Sequence, residues 1–192
     1  MSAQANFSRP SFPRITLRPV SELDTQKLYH FAVVRPHEWP RVGAHGPPSP
    51  SRFAELLWAG VQVQFLADRL TEQGVRETFC LATIFNEDPT HRTAWFEVVP
   101  LHPIDEAADL YRASLLLVSH AFDILGVRKL YMSVPAYLPC VLGGLRCLLE
   151  EGNLTQDYLY AGTYWDRRIY SIRASSWAGM DSDEIASLGG TL

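Results

Sequence analysis

The chain has 192 residues, 47% hydrophobic and 20% charged, which suits one well-cored globular domain and would be cramped for two. A formal net charge of −4 and six scattered histidines supply neither the basic stripe that nucleic acid demands nor a His-Glu-x-x-His pair for a metal. No apolar run approaches the ~18 residues of a bilayer span, and three cysteines without Cys-x-x-Cys spacing fit a reducing, cytoplasmic setting better than a disulfide or zinc scaffold.

Residues 1–14, "MSAQANFSRPSFPR", read as a flexible leader, and the folded domain is expected over 15–173, opening with a strand in "ITLRPV". Ser21, with Asp24 three residues on, starts a helix through "ELDTQKLYHFAVV", where Leu23, Leu28, Phe31 and Ala32 fall roughly on one face. Arg35 to Arg52 carries five prolines and two glycines, too many for an element interior, so an ordered loop is expected there. Such loops often carry specificity, and His37 and Trp39 are its acceptor-pocket candidates. From Ser51 to Gly74 the spacing of Phe53, Leu56, Leu57, Val61 and Phe65 predicts a second helix, with Gly60 as a break or a bend in it.

The pattern then turns to β-rich runs. "ETFCLATIF" and "TAWFEVVP", separated by "NEDPTHR", predict a hairpin. A helix follows, with Ala107, Leu110, Ser114, Leu117, Ala121 and Leu125 along one face and Gly126 at its end, and then a strand in "KLYMSV". A strand, a crossover helix and a second strand imply a locally parallel pair inside an otherwise antiparallel sheet. "YLPCVLGGLRCLLEEG" is expected as a short helix and "LTQDYLYAGTYWDRRIYSI" as two aromatic-rich strands around "AGT". Residues 174–192 are expected as a flexible acidic tail. The fold class is α+β, a mixed and mostly antiparallel central sheet with helices on both faces.

"ITLRPVSELD", "AFDILGVRKLYMSV", "EEGNLTQDYLYAGTYWDRRIYSI" and the tryptophan followed by "PPSPSRF" together resemble the GCN5-related N-acetyltransferase superfamily, in its branch that acetylates ribosomal-protein N-termini. The resemblance implies that an amine attacks a thioester carbonyl. That chemistry needs a base for the amine proton, a donor for the leaving thiolate, and a splayed strand's backbone to clamp the pantetheine arm. It implies the clamp at Val98 and Val99 and the base at Glu97, which sits between bulky neighbours in "AWFEVVP". Tyr137 falls near the family's proton-donating tyrosine, with Ser133 and Ser119 as further hydroxyl candidates. The family's glycine-rich pyrophosphate turn maps onto Asp105, Glu106, Ala107 and Ala108, where neither glycine is present.

Acids at that helix start have a structural use, since Asp105 can cap the helix and Glu106 and Asp109 complement its dipole, each contributing roughly 0.3–1 kcal/mol. They also oppose a phosphate, and Arg112 is the nearest cation able to offset them. Three readings stay open. One is an acyltransferase fed by the phosphopantetheine of an acyl carrier protein, another an acetyltransferase holding acetyl-coenzyme A in an altered turn, and the last a retired enzyme serving binding or assembly. The acceptor is expected to be a small-molecule or peptide amine, with no metal involved. Tyr158, Tyr160, Tyr164 and Trp165 of the closing hairpin are the candidates for a homodimer surface.

Overall fold

The computed structural model describes residues 14–35, 39, 48–102 and 107–180. Seven strands form one sheet in the order β1-β2-β3-β4-β5-β7-β6. Strand β1 is Ile15–Pro19, β2 Val61–Leu70, β3 Arg76–Asp88, β4 Thr93–Pro100, β5 Lys129–Pro135, β6 Leu148–Tyr160 and β7 Thr163–Arg173. Every neighbouring pair is antiparallel except β4 and β5, which run parallel, as a crossover helix between them requires. The described helices are α1 Glu22–Val34, α2 Pro50–Trp58, α3 Ala107–Asp123 and the short α4 Ala174–Ala178.

Alternation along the strands separates two cores. One face of β3 and β4 buries Ala82, Ile84, Ala94 and Phe96 with Leu115, Val118 and Ala121 of α3. The opposite face buries Leu66, Leu81 and Val99 with Leu28 of α1 and Phe53 and Leu57 of α2. Each large apolar side chain so enclosed is worth about 1.5–3 kcal/mol, and this burial, more than helix propensity, holds the helices on the sheet. Helix α1 begins where Ser21 gives its backbone N–H and hydroxyl to the Asp24 carboxylate, at 2.9 and 2.7 Å. Three residues past the end of α3, Gly126 has a φ of +66° that lets the Val127 N–H turn back to the Ala121 carbonyl.

Three expectations are corrected. The helix expected from Ser51 to Gly74 stops at Trp58, and the strand β2 replaces its second half. Gly60 is the reason: its φ of +66° reverses the chain, and an added Cβ would meet the Asn86 side-chain oxygen at 2.7 Å. Beyond it "VQVQF" alternates with the period of a strand, and Gln64, Leu66 and Asp68 share one face. The helix expected in "YLPCVLGGLRCLLEEG" is instead a chain of tight turns, Gly143 N–H to Cys140 O and Leu145 N–H to Leu142 O, leading into β6 at Leu148. Pro139 and the adjacent Gly143 and Gly144 disfavour a continuous helix there. Finally, the packed chain continues past residue 173, because α4 sinks Trp177 into the core beside Phe122.

Candidate active site

Strands β4 and β5 touch at one end and part at the other. Their ladder spans Thr93–Lys129, Ala94–Leu130 and Trp95–Tyr131 and stops there. The closed end is clamped by Arg92. Its carbonyl accepts the Arg128 N–H at 2.7 Å and its guanidinium donates to the Gly126 carbonyl. Past Trp95 the strands diverge around a cavity of about 610 Å³ lined by Phe96 to Pro100 on one side and Met132 to Pro135 on the other. Each strand finishes in a proline, which has no N–H with which to extend a ladder across the gap.

Four of the site residues read from the sequence meet at this cavity: Glu97, Val98, Val99 and Tyr137 all line it. Ser133 does too. Glu97 is half-buried on the same sheet face as Val99, the side carrying α1 and α2. Tyr137 forms the far wall, its ring stacked on Tyr160 at 4.5 Å and flanked by Tyr158 and Trp165 at 5.8 and 5.7 Å. Tyr158 shares that enclosure, and desolvation by burial pushes its hydroxyl above the usual tyrosine range.

Two residues that sequence reading missed stand beside Glu97. Its register partner on β3 is Thr83, and the register partner of Thr83 on β2 is Gln64, so the three form a polar row across the sheet. Gln64 and Thr83 are 3% and 0% exposed. Gln64 Nε2 donates to Thr83 Oγ1 at 3.2 Å and to the Leu57 carbonyl at 3.3 Å. A carbonyl can only accept, so Leu57 fixes which end of the Gln64 amide faces inward, and Thr83 is left to accept from it. Gln64 Oε1 itself is buried without a hydrogen-bond partner. The signal for this row lay in the alternation of "VQVQF", which puts a glutamine on the inner face of a strand.

Other candidates stand elsewhere. Trp39 does not line the cavity; it is 2% exposed in the core under α1 and α2, its ring 5.9 Å from Phe53, because a large indole on an apolar floor is better buried than displayed. Ser119 is buried in α3 and also lies off the cavity. Ala107 and Ala108 open α3, the first exposed and the second half-buried. His37, Asp105 and Glu106 lie outside the described residues.

Asp109 and Arg112 lie in the first described turns of α3. The Asp109 side chain is 8% exposed and takes Arg112 at 2.9 Å and Arg69 of β2 at 3.4 Å. Arg69 also holds Glu77 at 2.9 Å. Arg112 thus pairs with an acid on its own helix, and the negative charge of Asp109 is met by two guanidiniums.

No family model matches this sequence, and neither does any curated protein. Solved structures do match. A spermidine N-acetyltransferase from Vibrio cholerae in complex with CoA and spermine aligns with a TM-score of 0.68 at 20% identity, over 86% of this chain and 99% of that one. The chain has the GCN5-related N-acetyltransferase fold. A spermidine/spermine N-acetyltransferase from the same organism in complex with manganese ions gives a TM-score of 0.65 at 19% identity, over 85% and 95% of the two chains. The acetyltransferase fold therefore accounts for the sheet order and the parted parallel pair. Among the described residues no group of three or more His, Cys, Asp or Glu side chains is arranged to hold a metal, and no helix is long and apolar enough to cross a membrane.

Proposed function

We propose that the chain is an N-acyltransferase that moves an acyl group from a coenzyme A thioester to a primary amine. The observation that carries the reading is the cavity opened by the parting of β4 and β5, with Glu97 on its wall. The matched acetyltransferase, whose complex holds CoA and spermine, supports the same pairing of donor and acceptor.

The coenzyme fits the residues present. The gap past Trp95 exposes a length of strand, Val98 and Val99 included, along which an extended amide-bearing arm can lie. Ala107 and Ala108 put no bulky side chain at the start of α3 for a phosphate to displace, and Asp109 is already paired with two arginines. When bound, the coenzyme supplies an activated acyl carbon and a thiolate leaving group. Glu97 takes the amine proton, the apolar walls exclude water, and the hydroxyl of Tyr137 is our candidate donor to the departing thiolate. A carrier-protein phosphopantetheine presents the same arm without the nucleotide, so comparing the titrations of acetyl-coenzyme A and a pantetheine thioester separates the two donors. An acceptor of the ribosomal-protein branch would bring its amine as a peptide N-terminus.

The test is transfer from acetyl-coenzyme A to a panel of primary amines by the purified full chain. Glu97→Gln is expected to lower kcat by about 10²–10⁴ while leaving the thermal midpoint in place. An unchanged kcat would remove Glu97 as the base, and no transfer to any amine would remove the reading.

A further inference from the structure

We infer that Tyr158 is a positioning residue for Tyr137: its hydroxyl donates to the Tyr137 oxygen, directs the Tyr137 proton toward the leaving sulfur and holds the charge that this oxygen acquires. The inference rests on the acyl-transfer reading of the cavity and adds a second tyrosine to its proton donor.

Its ground is the way the closing hairpin grips Tyr137. Tyr158 and Tyr160 stand two residues apart on β6 and so share a face, and the register partner of Tyr158 on β7 is Trp165. All three rings pack on Tyr137, Tyr158 at 5.8 Å, Tyr160 at 4.5 Å and Trp165 at 5.7 Å. Tyr137 and Tyr160 line the cavity, whereas Tyr158 stands off it with its side chain hydrogen-bonded to that of Tyr137. A phenol has one proton to give and lone pairs to receive with. Were Tyr137 to spend its proton on Tyr158, none would face the sulfur. Accepting from Tyr158 instead leaves the Tyr137 proton for the cavity. Desolvation by burial pushes the Tyr158 hydroxyl above the usual tyrosine range, although the bond with Tyr137 and the Arg167 guanidinium pull the other way. Tyr158 therefore keeps its proton and stays a donor. In the step itself the Tyr137 O–H bond breaks and an S–H bond forms on the departing thiolate. The phenolate left at Tyr137 is then held by a charge-assisted hydrogen bond from Tyr158, and water returns its proton once the thiol has gone.

The experiment measures kcat and both KM values, for acetyl-coenzyme A and for the best amine of the panel, in the full chain and in Tyr158→Phe, Tyr137→Phe and the double variant. Phenylalanine keeps the ring stack and removes only the oxygen. Tyr158→Phe is expected to lower kcat by about tenfold or more, with both KM values within about twofold of the parent, and to add nothing to Tyr137→Phe. An unchanged kcat in Tyr158→Phe overturns this inference and leaves acyl transfer to amines standing. So does an equal further fall in the Tyr137→Phe background, the mark of a tyrosine that supports the fold instead of the donor. A raised KM at constant kcat overturns it too, since Tyr158 would then only shape a binding wall. Tyr137→Phe at the parental kcat removes the donor and this inference with it, while the transfer itself stands. Absence of transfer by the parent to every amine of the panel overturns the acyl-transfer reading and this inference together.

Discussion

Replacing Asp109 with asparagine removes one negative charge from between two guanidiniums and changes almost nothing in shape. Two charge-assisted hydrogen bonds at about 1.5–3 kcal/mol each set an upper bound of about 6 kcal/mol. The real loss is smaller for three reasons. The Arg112 and Arg69 side chains are 30% and 24% exposed, so water can take over part of their solvation. The Arg69 contact is long at 3.4 Å, and Arg69 keeps Glu77. Asparagine also retains an oxygen that Arg112 can use. We expect a loss of about 2 kcal/mol, which in a chain of this size lowers the thermal midpoint by about 4–8 °C. Thermal unfolding followed by circular dichroism reads it directly. Arg112→Met in the Asp109→Asn background should then cost less than in the parent, with a coupling of about 1 kcal/mol. A midpoint within about 1 °C of the parent, or strictly additive effects, would refute the view that Asp109 is spent on these two arginines.

Gly60→Ala forces a side chain into a left-handed turn and against the Asn86 oxygen, so it should cost about 1–3 kcal/mol in a urea titration; an unchanged midpoint would show that the turn can relax. Thr83→Val keeps volume but leaves Gln64 without one acceptor. A stability loss of about 1 kcal/mol is expected, with Thr83→Ser close to the parent, and equal stability of the valine variant would argue against the buried row. Arg18, with help from Ser21, holds the Asp24 carboxyl well below the usual carboxylate range. The unfolded chain therefore binds the proton first, and the stabilisation is whole above the unfolded value near 4 and drains away as pH falls toward the folded one. Asp24→Asn should be less stable than the parent at neutral pH, and the gap should close toward pH 2 or so. A gap that stays constant with pH would refute that account.

Local patterning carried the fold where period and punctuation agreed. The Ser21 and Asp24 start of α1, the hairpin of β3 and β4, and the long α3 closed by Gly126 were legible because each is encoded within a few residues of itself. Strand β2 was misread because Phe53, Leu56, Leu57, Val61 and Phe65 happen to keep a helical spacing across a turn, and that spacing outweighed the signal of Gly60 and hid the alternation beyond it. The site was legible only in part for a related reason. Glu97 could be picked out from its own strand, yet its neighbours Thr83 and Gln64 are placed by pairing across strands far apart in sequence. Arg69 meets Asp109 in the same way, forty residues away, where no helix or strand period can point. Trp39 lies in the core and off the cavity, although the sequence around it is rich in proline.

The parted pair of strands divides the candidate site between two separately wound pieces of chain. The meander of β1 to β4 carries Gln64, Thr83 and Glu97, and the piece built from β5, β7 and β6 carries Met132, Ser133, Tyr137 and Tyr160. On the proposed reading, the first piece carries the proton acceptor and the second shapes what faces it. Substitutions in the second can redraw the outline of the space without disturbing the polar row beside Glu97, so under the proposed reading selectivity can drift while the carboxylate stays where it is.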